Sequence, residues 1–398
     1  MKKKPFFLTI FICIIISFIF IGICISHNHF NHQGNVYSLK DNWYYSINGK
    51  IPVSLSLPTH IDHYFKKGDV VDLYTHLPLT SIDKPYLYTS LYLQYVEIYL
   101  DGKMIYQYGS PVKENETVVV GSGYICIPLP ENYTNSNLHI RYIHTFNHIT
   151  NYLFPITLRA QDLKSTLIYE KAETLYANSC FFICGLLCIG IGIYWLVKRQ
   201  PFLSMFLIGL FGLNASVWFL CNTKCIQLFT SDLVFVHNLE YFCFYLLCIP
   251  LWLFFYINVS TPFLKKYCLT VLIPFITFFI GASILNFCNV VNYFQLLTFY
   301  HILLITSILL LILLICFFLY QHHPLGRGLL IGILALTISG VLELIKFYST
   351  NIPIRSFFNY GIIIFFISIS VSLVNLQQKP SKTIQPVFPN QIPDIFKS

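Results

Sequence analysis

The chain has 398 residues, of which 56% are hydrophobic and 11% are charged, and its formal net charge is +8. Soluble domains carry about 25% charged residues, so this composition excludes an ordinary soluble globular protein. The basic residues lie at the ends of apolar segments, so the positive charge indicates membrane topology and no nucleic-acid partner.

Apolar segments long enough to cross a bilayer dominate the sequence. A helical span needs about 20 apolar residues, and a helix satisfies every backbone amide group in lipid. One segment stands alone before the mixed stretch 27–172, and seven more follow it closely. We therefore predict a lone anchor, a separate domain, and a seven-helix transmembrane bundle over 174–376. The eight segments are 5–25, 174–197, 202–220, 235–259, 267–287, 293–320, 328–347 and 356–376.

The first segment, 5–25, follows a short basic start, residues 1–4. Its apolar run is longer than the roughly 7–15 residues of a signal-peptide core, and no A-x-A-like cleavage site follows it. These features favour an uncleaved transmembrane anchor, with a cleaved signal peptide as the alternative.

Basic residues indicate the orientation of the spans. The positive-inside rule places the more basic side of a membrane protein in the cytoplasm. We therefore predict a multi-pass protein of the cytoplasmic membrane, with residues 1–4 and 377–398 inside and residues 27–172 outside. The basic residues that share one side when the spans alternate are Lys2, Lys3, Lys4, Lys198, Arg199, Lys265, Lys266, Arg327, Lys379, Lys382 and Lys397.

The pattern of 27–172 is typical of an all-β domain. Alternating and aromatic runs recur at short spacing, which predicts an extracytoplasmic β-sandwich of the jelly-roll or galactose-binding-like kind. The pair Asp101-Gly102 predicts a hairpin with a type I′ turn, which needs positive φ at both central residues. The predicted strands are 51–57, 70–74, 86–93, 95–100, 104–108, 118–120, 125–129 and 138–143.

Aromatic residues of this domain are candidates for binding an extracellular small molecule, including a carbohydrate. Such side chains stack on sugar rings when they share an exposed face. The alternative is that they fill or cover the core, since tyrosine is favoured in strands. The candidates are Trp43, Tyr44, Tyr45, Tyr86, Tyr88 and Tyr92.

Ionisable residues stand out in the apolar segments, and four of them are candidates for an intramembrane polar cluster: Glu240, His301, Glu343 and Lys346. Ionisable groups in lipid are costly and usually face a bundle interior or a polar cavity. The predicted topology places all four in the outer half of the membrane. Glu343 and Lys346 are spaced to pair on one helix. The alternative is a shared pocket that opens outward and couples the exterior domain to helix movement.

The sequence predicts no metal site and no cofactor. It has 13 cysteines, but the stretch 27–172 contains one, Cys126, so intramolecular disulfides do not hold that domain together. Cys180, Cys184 and Cys188 share one helix face, where cysteine is an ordinary small buried residue.

Several stretches resemble a known receptor family in their order and layout. Over roughly residues 35–376, the chain resembles the bacterial seven-transmembrane receptors with diverse intracellular signalling modules. The stretches are the hairpin 96–108 with its core Tyr-Leu-Asp-Gly-Lys-Met-Ile-Tyr, the stretch 214–229, Glu240-Tyr241 with Ile249-Pro250, and the last two spans with Leu342-Glu343 and 361–366.

The resemblance implies a sensory receptor that is not itself an enzyme. Family members typically continue into a cyclase, histidine kinase or phosphatase module, and no such motif follows residue 376 here. We expect a receptor that binds an extracellular ligand and signals through a separate cytoplasmic cyclase, kinase or regulator. The alternatives are a truncated paralogue of a membrane diguanylate cyclase or histidine kinase that acts only as a binding protein, and a transporter.

The tail, 377–398, carries a proline every few residues, so we expect an extended chain. Its spaced apolar residues make it a candidate docking peptide for a cytoplasmic partner, with a disordered end as the alternative.

Overall fold

The computed structural model describes residues 36–80, 82, 84–109, 120–147, 151–199, 201–259, 261–320, 326–348 and 361–369. The anchor 5–25, the tail 377–398 and most of the predicted strand 118–120 lie outside these residues. Those three therefore stay predictions.

Strands fill the described part of the chain before residue 160, and every pair that they form is antiparallel. They are β1 Val36–Ser38, β2 Trp43–Ile47, β3 Val53–Leu55, β4 Thr59–His60, β5 Val70–His76, β6 Tyr86–Tyr92, β7 Gln94–Leu100, β8 Lys103–Tyr108, β9 Ser122–Pro128, β10 Asn137–His144, β11 Tyr152–Leu153 and β12 Thr157–Arg159.

The strands form two main sheets. One has six strands in the order β3-β2-β5-β10-β7-β8, the other has four in the order β1-β12-β6-β9, and β4 pairs separately with β11. Eight strands remain when β2, β3, β4 and β11 are left out, and we renumber them 1 to 8 in the order β1, β5, β6, β7, β8, β9, β10 and β12. In this numbering the six-stranded sheet contains the order 2-7-4-5, and the four-stranded sheet has the order 1-8-3-6. Most neighbouring strands are therefore distant in sequence, and long-range pairing holds the domain together.

One apolar core lies between the two main sheets. In β10 every second side chain, at Leu138, Ile140 and Tyr142, is buried, because successive strand residues point to opposite faces of a sheet. Leu87 of the four-stranded sheet and Ile98 of the six-stranded sheet belong to the same core and are fully buried. The prediction of a β domain is confirmed for the described residues up to 159, whereas Leu163–Glu170, also within the predicted range 27–172, is a helix.

The hairpin predicted at Asp101-Gly102 is also confirmed. It joins β7 to β8, and φ is +48° at Asp101 and +78° at Gly102. Both values have the sign that a type I′ turn needs. Strands β1, β2, β4, β11 and β12 were not predicted. All of them except β2 have only two or three residues, which is too short for an alternating pattern to be recognised.

Helices make up the rest of the described chain. The first begins after Asp162, whose side chain accepts a hydrogen bond from the backbone N–H of Ser165. Single 3₁₀ turns occupy Cys225–Leu228 and Tyr293–Leu296. The helices are α1 Leu163–Glu170, α2 Ala172–Val197, α3 Leu203–Asn222, α4 Leu233–Leu246, α5 Cys248–Asn258, α6 Pro262–Phe287, α7 Leu297–Tyr320, α8 Gly326–Tyr348 and α9 over 361–369.

Five helical stretches are long and apolar enough to cross a membrane, which supports a multi-pass membrane protein. Seven spans are not confirmed. The apolar part of α8, Leu330–Ile345, is shorter than a full span, and the last predicted span is described only over 361–369. The five stretches are Thr174–Val197, Leu203–Asn222, Leu233–Asn258, Pro262–Phe287 and Tyr293–Tyr320.

The β domain sits at the end of the helical region where α3 leads into α4 and α6 leads into α7. Leu233, the first residue of α4, is 4% exposed and belongs to the core of the β domain. Tyr92 of β6 packs edge-on against Phe294, between α6 and α7, with ring centroids 6.3 Å apart. We call the boundary formed by β9, Cys225–Leu228 and the start of α4 the junction.

His144 is a buried histidine at the end of β10. It is 1% exposed, stacks on Phe65 with ring centroids 4.1 Å apart, and has its Nε2 3.2 Å from the side-chain nitrogen of Gln94. Burial lowers the pKa of His144 from 6.5 to about 4, because the charged imidazolium is poorly solvated there.

We expect the free energy of unfolding to decrease as the pH is lowered from 6.5 towards about 4. In this window the unfolded chain binds a proton at His144 and the folded chain does not, so each pH unit removes up to about 1.4 kcal/mol. Denaturant unfolding of the purified protein in detergent at several pH values measures this slope. His144→Phe keeps a flat ring against Phe65 and should reduce the slope; parallel curves would contradict the expectation.

Candidate functional site

The aromatic candidates of the β domain do not share one face. Trp43 is fully buried, and its indole N–H donates to the carbonyl oxygen of Leu39 at 2.9 Å, so it is a core residue. Tyr45, two residues later on the same strand, packs against the same core. Tyr44 points to the opposite side of the sheet and is 52% exposed.

Tyr86, Tyr88 and Tyr92 lie on the outward face of the four-stranded sheet, and protein covers most of that face. Tyr88 is buried, stacks on Tyr124 with centroids 5.3 Å apart, and has the guanidinium of Arg159 4.2 Å from its ring centroid. Tyr92 packs against Phe294 between α6 and α7, and burial raises its pKa to about 12. Tyr86, at the start of β6, is partly exposed. Tyr88 and Tyr92 therefore cover the sheet, as in the alternative interpretation.

An open aromatic surface lies on the outward face of the six-stranded sheet. His139 of β10 is stacked between Tyr74 of β5 and Tyr99 of β7, with centroid distances of 4.5 and 5.2 Å. Tyr44 of β2 lies opposite Tyr74, which is 37% exposed. We call Tyr44, Tyr74, Tyr99 and His139 the aromatic face. Only Tyr44 among them was a candidate from the sequence.

Charged groups border the aromatic face. The carboxylate of Asp72 accepts hydrogen bonds from His139 Nε2 at 2.7 Å and from Arg141 Nε at 2.9 Å. The hydroxyl of Tyr99 donates to Glu97 at 2.8 Å. The hydrogen bond to Asp72 raises the pKa of Arg141, and the hydrogen bond to Glu97 raises the pKa of Tyr99. These contacts hold the rings of Tyr99 and His139 beside the acidic side chains of Glu97 and Asp72, and Asp72 also binds Arg141.

A set of polar contacts joins the β domain to α4. Lys224 Nζ donates to Glu240 Oε2 at 2.6 Å and to Ser122 Oγ at 3.1 Å. Ser122 begins β9, and its hydroxyl lies 3.4 Å from Nδ1 of His237. The side chains of Lys224 and Glu240 are only 16% and 15% exposed, so each charge depends on the other for stabilisation. We call Ser122, Lys224, His237 and Glu240 the polar bridge.

Gln227 extends the edge of the four-stranded sheet beside the polar bridge. Its side-chain amide accepts from the backbone N–H of Tyr124 and donates to the carbonyl oxygen of Tyr124, both at 2.9 Å, as a neighbouring strand does. A Cβ at Gly121 would lie 1.9 Å from the carbonyl oxygen of Leu233, and one at Gly123 would lie 2.7 Å from the Leu233 side chain. The two glycines therefore allow β9 to contact the helical region directly.

Glu240 also lines a cavity of about 330 Å³ between α3, α4, α7 and α8. Trp218 and Phe244 stack at its wall, with centroids 5.3 Å apart and planes inclined by 20°. The buried ring of His301 lies edge-on to Phe244 with centroids 6.2 Å apart. The cavity is lined by Trp218, Asn222, Glu240, Tyr241, Phe244, Leu297, His301, Leu304, Gly340, Glu343 and Leu344.

The structure therefore brings Glu240, His301 and Glu343, three of the four intramembrane candidates, to one cavity. Lys346 is on α8, but its side chain is outside the described part of the chain, so its pairing with Glu343 stays a prediction. The sequence did not identify Lys224 as the partner of Glu240. The sequence feature that could have identified this partner is a lone lysine between two apolar spans, since buried lysines are almost always paired.

Among the described residues, no group of three or more histidine, cysteine, aspartate or glutamate side chains is placed to hold a metal ion.

Comparisons with known proteins do not place the chain in a family. No family model and no curated protein matches the sequence. The chain is similar to an FMN-binding β-glucuronidase from Facaelibacterium prausnitzii L2-6, with 9% identity and a TM-score of 0.21 over 31% of this chain and 22% of that chain. It is also similar to a GH31 α-xylosidase from Xanthomonas citri, with 10% identity and a TM-score of 0.17 over 35% of this chain and 20% of that chain. The chain thus spans about a fifth of the length of these two structures.

We expect Gly121→Ala to disrupt the packing of β9 on α4. The added methyl group overlaps the backbone carbonyl of Leu233, and overpacking of this kind costs about 1–3 kcal/mol. The matched control is Gly190→Ala in α2, where no atom lies within 4 Å of the new methyl group, and it should be at least as stable as the wild type. Thermal unfolding in detergent measures the difference; equal transition temperatures for the two variants would contradict the close contact.

We expect Lys224→Met to destabilise the protein by about 3 kcal/mol, because it leaves the carboxylate of Glu240 buried without its cation. Adding Glu240→Leu should recover much of this loss, since no charge is then left buried. Denaturant unfolding of the single and double variants in detergent measures both changes.

The control for this experiment is Lys84→Met. Lys84 pairs with Glu131 at 3.6 Å, but the two side chains are 71% and 82% exposed, so the loss should be below about 1 kcal/mol. If Lys224→Met is as mild as Lys84→Met, the polar bridge does not hold the junction together.

Proposed function

We propose that the protein is a membrane sensory receptor. In this proposal the β domain binds a small molecule outside the cytoplasmic membrane. Binding changes the packing of the helical region, and a partner protein inside responds to the new packing. The observation that carries the proposal is the polar bridge, in which Lys224 contacts both Ser122 of the β domain and Glu240 of the helical region. A shared buried contact makes the position of each part depend on the other.

The distribution of basic residues supports a β domain on the outside. Lys198 and Arg199 follow the end of α2, and Lys265 and Lys266 lie near the start of α6. These helix ends are the ones away from the junction. Basic residues concentrate on the cytoplasmic side of membrane proteins, so the β domain takes the opposite side.

The aromatic face supports ligand binding by the β domain. We propose that the β domain is a jelly roll, an architecture that includes lectin domains, and the strand orders 2-7-4-5 and 1-8-3-6 support this. Tyr44 and Tyr74 offer exposed rings, and Arg141, whose side chain is 38% exposed and is held by the buried Asp72, offers hydrogen-bond donors beside them. Flat rings with polar neighbours suit a small ligand that has one apolar side and several hydroxyl groups. We therefore propose a carbohydrate or a similar polar ring compound as the ligand class.

We propose a separate cytoplasmic cyclase, kinase or regulator as the output, as expected from the resemblance to the bacterial seven-transmembrane receptors. The protein itself is not an enzyme in this proposal. A ligand favours one packing of the helices only to the extent that it binds that packing more tightly. The polar bridge is the contact through which the β domain acts on α4.

The test measures binding and coupling separately on the full-length protein in nanodiscs. A glycan array first identifies a binding sugar. Tyr44→Ala and Tyr74→Ala should each lower its affinity by about fivefold or more, since stacking on one ring contributes about 1 kcal/mol. The control is Tyr169→Ala on α1, a tyrosine that is 41% exposed and lies on another element, and it should bind normally.

Coupling is measured by crosslinking a cytoplasmic partner in membranes with and without the sugar. Lys224→Met should leave the affinity for the sugar unchanged and abolish the sugar-dependent change in partner recovery. Recovery of nothing but the chain itself in repeated experiments would contradict the receptor proposal. Uptake of the sugar into proteoliposomes that is lost in Glu240→Gln would identify a transporter instead.

A further inference from the structure

A groove of about 530 Å³ lies between α4 and α6, at the end of these helices that faces the β domain. Phe235 and Phe242 of α4 and Ile284 of α6 line it, and their side chains are 51%, 38% and 58% exposed. Both helices belong to stretches that are long and apolar enough to cross a membrane. The groove therefore lies on a surface that faces lipid, and its volume is within the range of small-molecule pockets, about 300–1,000 Å³.

Three polar side chains stand among the apolar walls of this groove. Asn286 Oδ1 accepts from the backbone N–H of Tyr293, and the hydroxyl of Ser283 accepts from the hydroxyl of Tyr293, both at 3.2 Å. Asn238 forms no hydrogen bond with the described residues, and its side-chain oxygen is buried. The amide N–H groups of Asn238 and Asn286 thus lack an acceptor in the described part of the chain. An unpaired polar group is costly in apolar surroundings, so a bound molecule that supplies acceptors is favoured.

The polar side chains lie at the depth of the membrane interface. α4 begins at Leu233 and α6 ends at Phe287, both on the side of the β domain. At a rise of about 1.5 Å per residue, Asn238 and Ser283 lie about 7.5 and 6 Å from these ends, and Phe242 lies about 13.5 Å from its own. The interfacial layer of each leaflet is about 5–8 Å thick. The groove is therefore polar at interface depth and apolar at the depth of the hydrocarbon.

We propose that this groove binds one glycerolipid from the leaflet next to the β domain. The ester carbonyls of the lipid accept hydrogen bonds from the amide groups of Asn238 and Asn286, and one acyl chain lies against Leu239 and Phe242. The polarity of the groove thus changes along the membrane normal in the same direction as that of a lipid. No charged side chain is among the described residues that line the groove, so the charge of the headgroup does not select the lipid. This inference does not depend on a ligand at the aromatic face.

The alternative occupants are the predicted anchor 5–25 and a second copy of the chain. The carbonyl groups of a transmembrane helix are bonded within that helix, so a packed helix offers few acceptors to the two amide groups. The anchor also joins the β domain at β1, and β1 and β9 are the opposite edges of the four-stranded sheet. Since β9 is the strand that contacts α4, the chain enters the domain on the side away from the groove. Both observations favour a lipid.

A lipid in the groove packs against the face of α4 that is opposite the polar bridge. Phe235, Leu239 and Phe242 recur at a spacing of four and three residues, which places them on one face of the helix. His237 and Glu240, which contact Ser122 and Lys224, are on the other face. The bound lipid therefore holds α4 against α6 while the polar bridge holds it against β9.

The experiment compares two lipids that differ only in their carbonyl groups: dioleoyl phosphatidylcholine, a diester, and its di-O-octadecenyl diether analogue. Each is titrated into the purified, delipidated full-length protein in detergent, and native mass spectrometry gives the dissociation constant of the first bound lipid. The diester should bind by about fivefold or more the more tightly, because the diether offers no carbonyl to the amide groups. Equal binding of the two lipids overturns the proposal. So does the lack of a saturable lipid site, which is the outcome if the anchor or a second copy fills the groove.

Variants test the location of the site. Asn238→Leu should lower the affinity for the diester to that for the diether and leave the diether unchanged, whereas a purely structural effect would lower both. The matched control is Thr277→Val, because the hydroxyl of Thr277 bonds within α6 to the carbonyl oxygen of Ile273 at 3.0 Å, outside the groove. It should keep the preference for the diester.

Ser283→Phe fills the groove and should abolish the saturable site for both lipids, so the location remains testable if Asn238→Leu does not fold. Unchanged diester affinity in the folded groove variants overturns the assignment, whatever the sugar-binding experiment shows.

Discussion

The arrangement of the molecule depends on the burial of Lys224 between β9 and α4. Moving an ammonium group and a carboxylate out of water costs several kcal/mol for each ion, and their attraction offsets this only at close range with further hydrogen bonds. Lys224 meets that condition at 2.6 Å from Glu240 and 3.1 Å from Ser122. Through these two contacts one lysine side chain joins the strand to the helix.

The backbone around the polar bridge allows β9 and α4 to approach each other closely enough for these contacts. Lys224 has φ +63°, a left-handed conformation that costs a residue with a side chain about 1–2 kcal/mol. This turn brings Gln227 onto the edge of β9, and Gly121 and Gly123 leave space for α4. Backbone strain of this kind is concentrated at binding sites and switches. The junction therefore combines a left-handed turn at Lys224, two glycines that lack side chains, and a buried ion pair.

Local patterns were predictable from the sequence, and distant partners were not. β10 alternates over its eight residues and β7 over its last five, and Asp101-Gly102 is a residue pair typical of a type I′ turn. By contrast, β12 has three residues and is a strand only because it pairs with β1 and β6. The polar bridge shows the same difference between local patterns and distant partners. A carboxylate in an apolar segment is conspicuous, but Ser122 and Lys224 are 102 residues apart, and only the fold brings them together.

The two outward faces of the β domain have different surroundings, and under the receptor proposal this decides how a ligand would act. Tyr92 packs against Phe294, so a ligand would reach that part of the four-stranded sheet only by separating β6 from the segment between α6 and α7. Tyr44 and Tyr74 remain exposed on the other sheet, and a ligand there acts on β9 only through the sandwich core. A close-packed core transmits such a displacement, but the shift is limited by the ligand's difference in affinity between the two arrangements.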